Sequence, residues 1–134
     1  MQRTVINPTT VFNALQYGFS QAMEVPEGRR IMLSGQVGVD ADERTVGPGI
    51  AEQTAAALDN IEKVLAEAGG DLSHVIMLRL YITESARDQQ EPIAQALRER
   101  FPHNPPPSSW IIVSGLSLPD WLIEIEAEAV IAQA

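Results

Sequence analysis

The sequence has no cysteine, which removes disulfides, thiolate nucleophiles, iron–sulfur clusters and every zinc site that needs sulfur ligands. Aromatic residues are scarce, at 5% of a chain that is 45% hydrophobic, so a core has to be made from Ala, Val, Ile and Leu. Basic residues are few as well: 9 Lys and Arg stand against 18 Asp and Glu, for a net charge of −9. They form no basic run, so nucleic-acid backbones and anionic membranes are poor partners. No stretch reaches the roughly 18 apolar residues of a membrane span, and the start of the chain lacks a signal-peptide pattern. The expectation is a soluble cytoplasmic protein that binds neither nucleic acid nor membrane.

The 134 residues match one domain over 1–134, large enough to bury roughly two thirds of its unfolded surface without metal or disulfide staples. No linker or internal repeat divides them. Punctuation is local: Pro26-Glu27-Gly28 and Asp40-Ala41-Asp42-Glu43 read as turns, Gly47-Pro48-Gly49 as the break before a helix, and Gly69-Gly70 as its stop. Asn104-Pro105-Pro106-Pro107 is a rigid extended segment.

Between the breaks, Ala51, Ala55, Leu58, Ile61, Leu65 and Ala68 recur at three and four, which predicts an amphipathic helix over 50–68. A second helix is predicted over 88–101, with Pro92 in its first turn and Ile93, Leu97 and Phe101 on one stripe. Strands are predicted at 17–23, 30–39, 74–83, 108–115 and 122–131. The order implies an α+β fold, a mixed sheet with two helices on one face. Met77, Arg79 and Tyr81 share one side of the third strand, and Trp110, Ile112 and Ser114 one side of the fourth. A half-apolar face left uncovered by helices calls for a partner subunit.

Few residues announce chemistry. Glu124, Glu126 and Glu128 alternate with aliphatics; they are either a solvated strand face or closely spaced carboxylates able to raise one another's pKa and donate a proton. His74 and His103 read as surface or cap residues, and two histidines alone do not make a three-ligand zinc site. Gly35, Gly38, Gly47 and Gly49 are too dispersed for a phosphate or dinucleotide loop, and Asp71, Asp88 and Asp120 read as turn or helix-start residues. Trp110 is a core residue, an interface residue or a pocket wall. Ser108 and Ser109 lack a histidine or lysine in an evident motif, which argues against a serine hydrolase. No cofactor or metal is expected.

Taken in order, Ser20-Gln21-Ala22, Ser34-Gly35-Gln36, the helix with Gln53, Leu58, Asn60, Leu65 and Ala68-Gly69, the strand through Tyr81, Phe101-Pro102 and Ile123-Glu124-Ile125-Glu126-Ala127 resemble the YjgF-like, or RidA-like (reactive intermediate deaminase), family over nearly the whole chain. The resemblance implies a chorismate-mutase-like fold and a homotrimer, its sheets forming a central barrel with small-ligand clefts between subunits. It also implies hydrolysis of reactive enamines and imines, such as 2-aminoacrylate, to 2-oxo acids and ammonia, without a cofactor. The family's water-positioning glutamate falls on Glu124, but its carboxylate-binding arginine falls on Ser108 and its early tyrosine on Phe19. A serine cannot supply an arginine's paired, charge-assisted bonds. The expectation is a cleft lined by Phe19, Gly35, Ser108 and Trp110 with Glu124 facing in, more apolar than in the archetype, and with Arg79 as a replacement charge. Two functions follow: hydrolysis of imines that are not the usual carboxylated ones, or small-ligand binding without catalysis. The ribonuclease activity sometimes attributed to the family ranks below both, given the net charge of −9.

Overall fold

The computed structural model describes residues 3–133. The helix predicted from residue 50 is α1, Ile50–Glu67, and it starts where Glu52 reaches back to accept the Gly49 N–H at 3.3 Å. Its inward stripe is rotated from the predicted one. Ile50, Gln53, Thr54, Ala57, Leu58, Ile61 and Leu65 are buried, while Ala51 is exposed. Two polar residues can lie inward because each is satisfied there: the Thr54 hydroxyl donates to Ile50 O at 2.7 Å, and the Gln53 amide bridges two loops. The second helix, α2, is Glu91–Arg100, shorter than predicted, with Pro92 in its first turn and Ile93 and Leu97 buried.

Six strands are present among the described residues: β1 Thr4–Ile6, β2 Ala22–Glu24, β3 Arg29–Val37, β4 Val75–Thr83, β5 Ser108–Val113 and β6 Ile123–Ile131. Four of them form the main sheet in the order β3-β6-β4-β5, antiparallel except for the parallel β4–β5 pair. Strands β1 and β2 make a separate antiparallel ribbon. The sheet is therefore mixed, and both helices lie on one of its faces. Leu58, Ile61 and Leu65 of α1 and Ile93 and Leu97 of α2 share one core cluster with Leu78, Leu80 and Ile82 of β4 and Ile123, Ile125, Ala127 and Ala129 of β6. No described helix is long and apolar enough to cross a membrane.

Two expectations need correction. The strand predicted at 17–23 is mostly a loop: Ala14–Tyr17 form a single 3-10 turn, capped at its start by the Asn13 side chain and closed by Gly18 at φ 88°. A turn with a left-handed closing residue cannot continue as a strand; beyond it Ser20 makes an isolated bridge to Pro107, and Ala22–Glu24 pair with β1, which was not predicted. The second correction concerns faces. Leu80 pairs with Trp110 and Ile82 with Ile112, which puts Trp110 and Ile112 on the helix side, packed against the core. The open face of β5 instead carries Ser109, Ile111 and Val113, and Ser114 lies beyond the strand.

Candidate functional site

Alternation along β6 sends its aliphatics to the core and its three glutamates to the open face, and each glutamate is held differently. Glu128 accepts from Arg79 at 2.5 Å and from Arg30 at 3.0 Å. Glu126 accepts from the Tyr81 hydroxyl at 2.5 Å. Among the described residues, nothing donates a hydrogen bond to the Glu124 carboxylate. These contacts bias titration: the bond to Glu128 raises the Arg79 pKa above its ordinary value, and the bond to Glu126 raises that of Tyr81.

Gly35 explains where the Glu124 side chain can rest. The β3–β6 register slips between Leu33 and Gln36, and at this bulge a Cβ on Gly35 would fall 2.7 Å from both Cγ and Cδ of Glu124, closer still to Oε2. Any other residue here would push the carboxylate aside. The register also places Tyr81 opposite Glu124. Gly35 and Glu124 thus form one constellation, on the open face.

Phe19, Ser108 and Trp110 form another, at the β5 edge on the helix side. They line a hollow of about 300 Å³ together with Phe12, Tyr17 and Gln90. The rings meet in a chain: Phe12 stands edge-on to Phe19 at 6.3 Å, Tyr17 stacks on Phe19 at 6.5 Å, and Phe19 tilts against Trp110 at 6.2 Å. The loop that carries them is pinned from several sides. Arg98 of α2 donates to Gln16 O at 2.6 Å, Ser20 N donates to Pro106 O at 3.2 Å, and Gln21 Nε2 donates to Phe12 O at 2.9 Å. At Gly18 a Cβ would lie 2.7 Å from Leu97 Cβ and 2.9 Å from Arg98 N, so a glycine lets the loop close against α2. Trp110 Nε1 donates to Ser108 Oγ at 3.0 Å, fixing both side chains.

The predicted site residues are therefore divided. One chain brings Phe19, Ser108 and Trp110 together, and separately Gly35 and Glu124, but it does not close these into one cleft. Ser108 pairs with Leu78 on the core face, whereas Glu124 projects from the opposite one. Arg79 lies on the open face with Glu124, paired to Glu128, so its charge does not enter the Ser108 hollow of the same chain. Sequence reasoning missed Phe12, Tyr17 and Gln90 as lining residues. A cluster of rings in an aromatic-poor chain was a usable signal for the first two; Gln90 had none.

The remaining polar residues do structural work. Asp71 accepts from Ser73 N at 2.9 Å, and His74 Nδ1 accepts from Asp71 N at 3.1 Å, which makes both caps of a short turn. Gln53 Nε2 donates to Gly47 O and Asp120 O at 2.9 Å each, and its Oε1 accepts from Leu122 N at 2.8 Å. Asn60 Nδ2 donates to Val37 O at 3.1 Å and Val39 O at 2.9 Å. No cluster of three His, Asp or Glu among the described residues is placed to hold a metal ion.

The sequence profile of the Endoribonuclease L-PSP family matches residues 12–131. The chain belongs to that family. It is 36% identical over 116 residues to a RutC family protein of Saccharolobus solfataricus, covering 86% of each chain. A crystal structure of YyfB from Yersinia pestis, a protein of unknown function of the conserved Rid family, superposes with a TM-score of 0.91 at 36% identity, covering 98% of this chain and 100% of that one. A mouse relative named 2-iminobutanoate/2-iminopropanoate deaminase is 34% identical over 67 residues, 49% of this chain and 48% of its own.

Proposed function

We propose that this protein is a hydrolytic deaminase of small imines and enamines that lack a carboxylate, working as a homotrimer without a cofactor. Its cleft lies between subunits, with the Gly35–Glu124 constellation of one copy facing the Phe19–Ser108–Trp110 hollow of the next. The observation that carries the reading is Glu124. Its two neighbours on β6 are engaged by Arg30, Arg79 and Tyr81, whereas Glu124 is parked over a glycine with its oxygens unclaimed by any described residue. A carboxylate in that condition can accept a proton from water. Division of the two constellations between faces is what a shared cleft requires, and an open face bearing Met32 at 66% and Ile111 at 37% exposure supports burial against other copies. The family relation to the mouse deaminase supports the reaction.

In this mechanism Glu124 takes a proton from water as the water oxygen bonds to the imine carbon and the C=N π pair moves onto nitrogen. Glu124 then hands that proton to the nitrogen, giving the neutral carbinolamine; its amine takes a further proton from solvent and leaves as ammonia, while the hydroxyl proton returns to solvent and the oxygen closes to the carbonyl. Ser108 in place of an arginine sets the substrate range, because a neutral hydroxyl cannot hold a carboxylate by paired charged bonds.

The test is turnover of freshly generated imines, with and without a carboxylate, by the purified protein. Glu124→Gln is expected to lower the rate by about a hundredfold or more, with unchanged assembly by light scattering. Undiminished turnover by that variant would refute the role of Glu124. The second reading, a ligand-binding trimer without catalysis, is favoured by the same Ser108, and absence of turnover on every imine would select it. RNA cleavage fits the family's name but not a net charge of −9.

A further inference from the structure

The hollow at the β5 edge has an unusual wall for this chain. Of two tryptophans, two tyrosines and three phenylalanines in the sequence, Phe12, Tyr17, Phe19 and Trp110 converge on this one place, and the other two lining residues, Gln90 and Ser108, are uncharged. The core is built from Leu, Ile, Val and Ala with Phe101 as its one buried ring among the described residues, and of the four converging rings only Trp110 packs against it. Phe12 is 60% and Tyr17 42% exposed, so ring surface stands in water at the mouth.

The polar groups at the wall are biased too. Ser108 Oγ already accepts the Trp110 indole N–H, which leaves the serine proton to donate. Gln90 Nε2 donates to Arg87 O at 3.0 Å, which leaves its carbonyl oxygen to accept. Beside the Tyr17 hydroxyl, the wall therefore offers a neutral donor at Ser108 and a neutral acceptor at Gln90 amid ring faces, in a volume of about 300 Å³, at the small end of small-molecule sites. A neutral imine nitrogen carries both a lone pair and an N–H, and so matches the two.

We infer that the natural substrate is an uncharged imine whose carbon bears a flat aromatic ring, the ring seated among Phe12, Tyr17, Phe19 and Trp110 and the nitrogen at Ser108 and Gln90. Hydrolysis adds water across its C=N bond and expels ammonia, leaving an aryl ketone or aldehyde. The inference rests on the proposed deaminase reading only in naming the group as an imine; the aromatic, uncharged character of the ligand comes from the wall itself.

Because the ketone product is stable, the pocket can be tested without turnover. Binding to the purified protein is measured by calorimetry for acetophenone, 2-butanone, benzoylformate and phenyltrimethylammonium. Acetophenone is expected to bind about tenfold tighter than 2-butanone, for the ring contacts, and about tenfold tighter than benzoylformate, whose carboxylate finds no cation. Phe19→Leu should erase most of the preference over 2-butanone, and Ser108→Arg should turn the preference toward benzoylformate; circular dichroism and light scattering check that both variants fold and assemble. Equal binding of acetophenone and 2-butanone, tighter binding of benzoylformate or of the ammonium, or no saturable binding of acetophenone overturns the inference. The expected binding pattern in a protein that turns over no imine would remove the deaminase reading and leave the aromatic pocket standing.

Discussion

On the helix side of the sheet, Leu78, Leu80, Ile82, Ile123 and Ile125 are each 1% exposed or less. On the other side, the residues that alternate with them are Arg79, Tyr81, Glu124, Glu126 and Glu128, all partly open and joined by charged or strong hydrogen bonds except at Glu124. The same two strands therefore obey two kinds of physics. The closed face is held by apolar area removed from water and by close packing, which is strong and indifferent to salt. The open face is held by pairwise contacts between half-solvated groups, each individually weak. Of the three glutamates on the weaker side, Glu126 and Glu128 are already engaged by Tyr81, Arg30 and Arg79, and Glu124 alone is not.

Neighbouring residues on β4 and β6 make this contrast measurable. Leu80→Ala should cost about 2–5 kcal/mol, the range for emptying a fully buried leucine site, read as a lowered denaturation midpoint in urea. Glu128→Gln, which loosens contacts to Arg30 and Arg79, should cost only about 1 kcal/mol, because those arginine side chains are 65% and 36% exposed. Its effect should shrink in high salt; a salt-independent loss as large as that of Leu80→Ala would break the distinction between the faces. Tyr81→Phe should be the mildest, under about 1 kcal/mol for one hydrogen bond. Its pH dependence has a definite sign. Because the bond to Glu126 raises the folded-state pKa of Tyr81, its contribution is complete below the ordinary tyrosine pKa of about 10 and fades as pH rises through the folded-state value. The gap between Tyr81→Phe and the parent protein should therefore narrow in alkali. Repeating all three at rising protein concentration sharpens the comparison, since open-face effects should grow if copies cover that face, and Leu80→Ala should not single itself out in this way.

Much of the fold was legible because periodicity survives in the sequence. The strict alternation at 122–131 and the three–four spacing at 50–68 each correspond to a real element, with ends shifted by a residue or so. Pattern failed where tertiary pairing or a special backbone decides. The turn at Ala14–Tyr17 depends on an Asn13 cap and a left-handed Gly18, and the ribbon of β1 and β2 has three residues a side, too short for a period to register. The inward stripe of α1 was misjudged because a buried glutamine and threonine look polar in sequence and are made tolerable only by distant carbonyls and by the helix backbone. Of the residues lining the hollow, Phe19, Ser108 and Trp110 were legible in the sequence and Phe12, Tyr17 and Gln90 were not, and the arrangement was not legible at all. Spacing along a strand tells which residues share its face; it does not tell that Ser108 and Glu124, on different strands, point opposite ways.

Gln53 carries one more consequence. Its amide ties helix α1 to the loops at Gly47 and Asp120 and receives the N–H of Leu122, two residues before Glu124. The strand that bears the acid thus begins its run from a fixed mooring inside the protein. A change in that amide need not unfold anything to matter: it would let the first residues of the strand drift, and the damage would surface as a misplaced carboxylate in a protein that still folds.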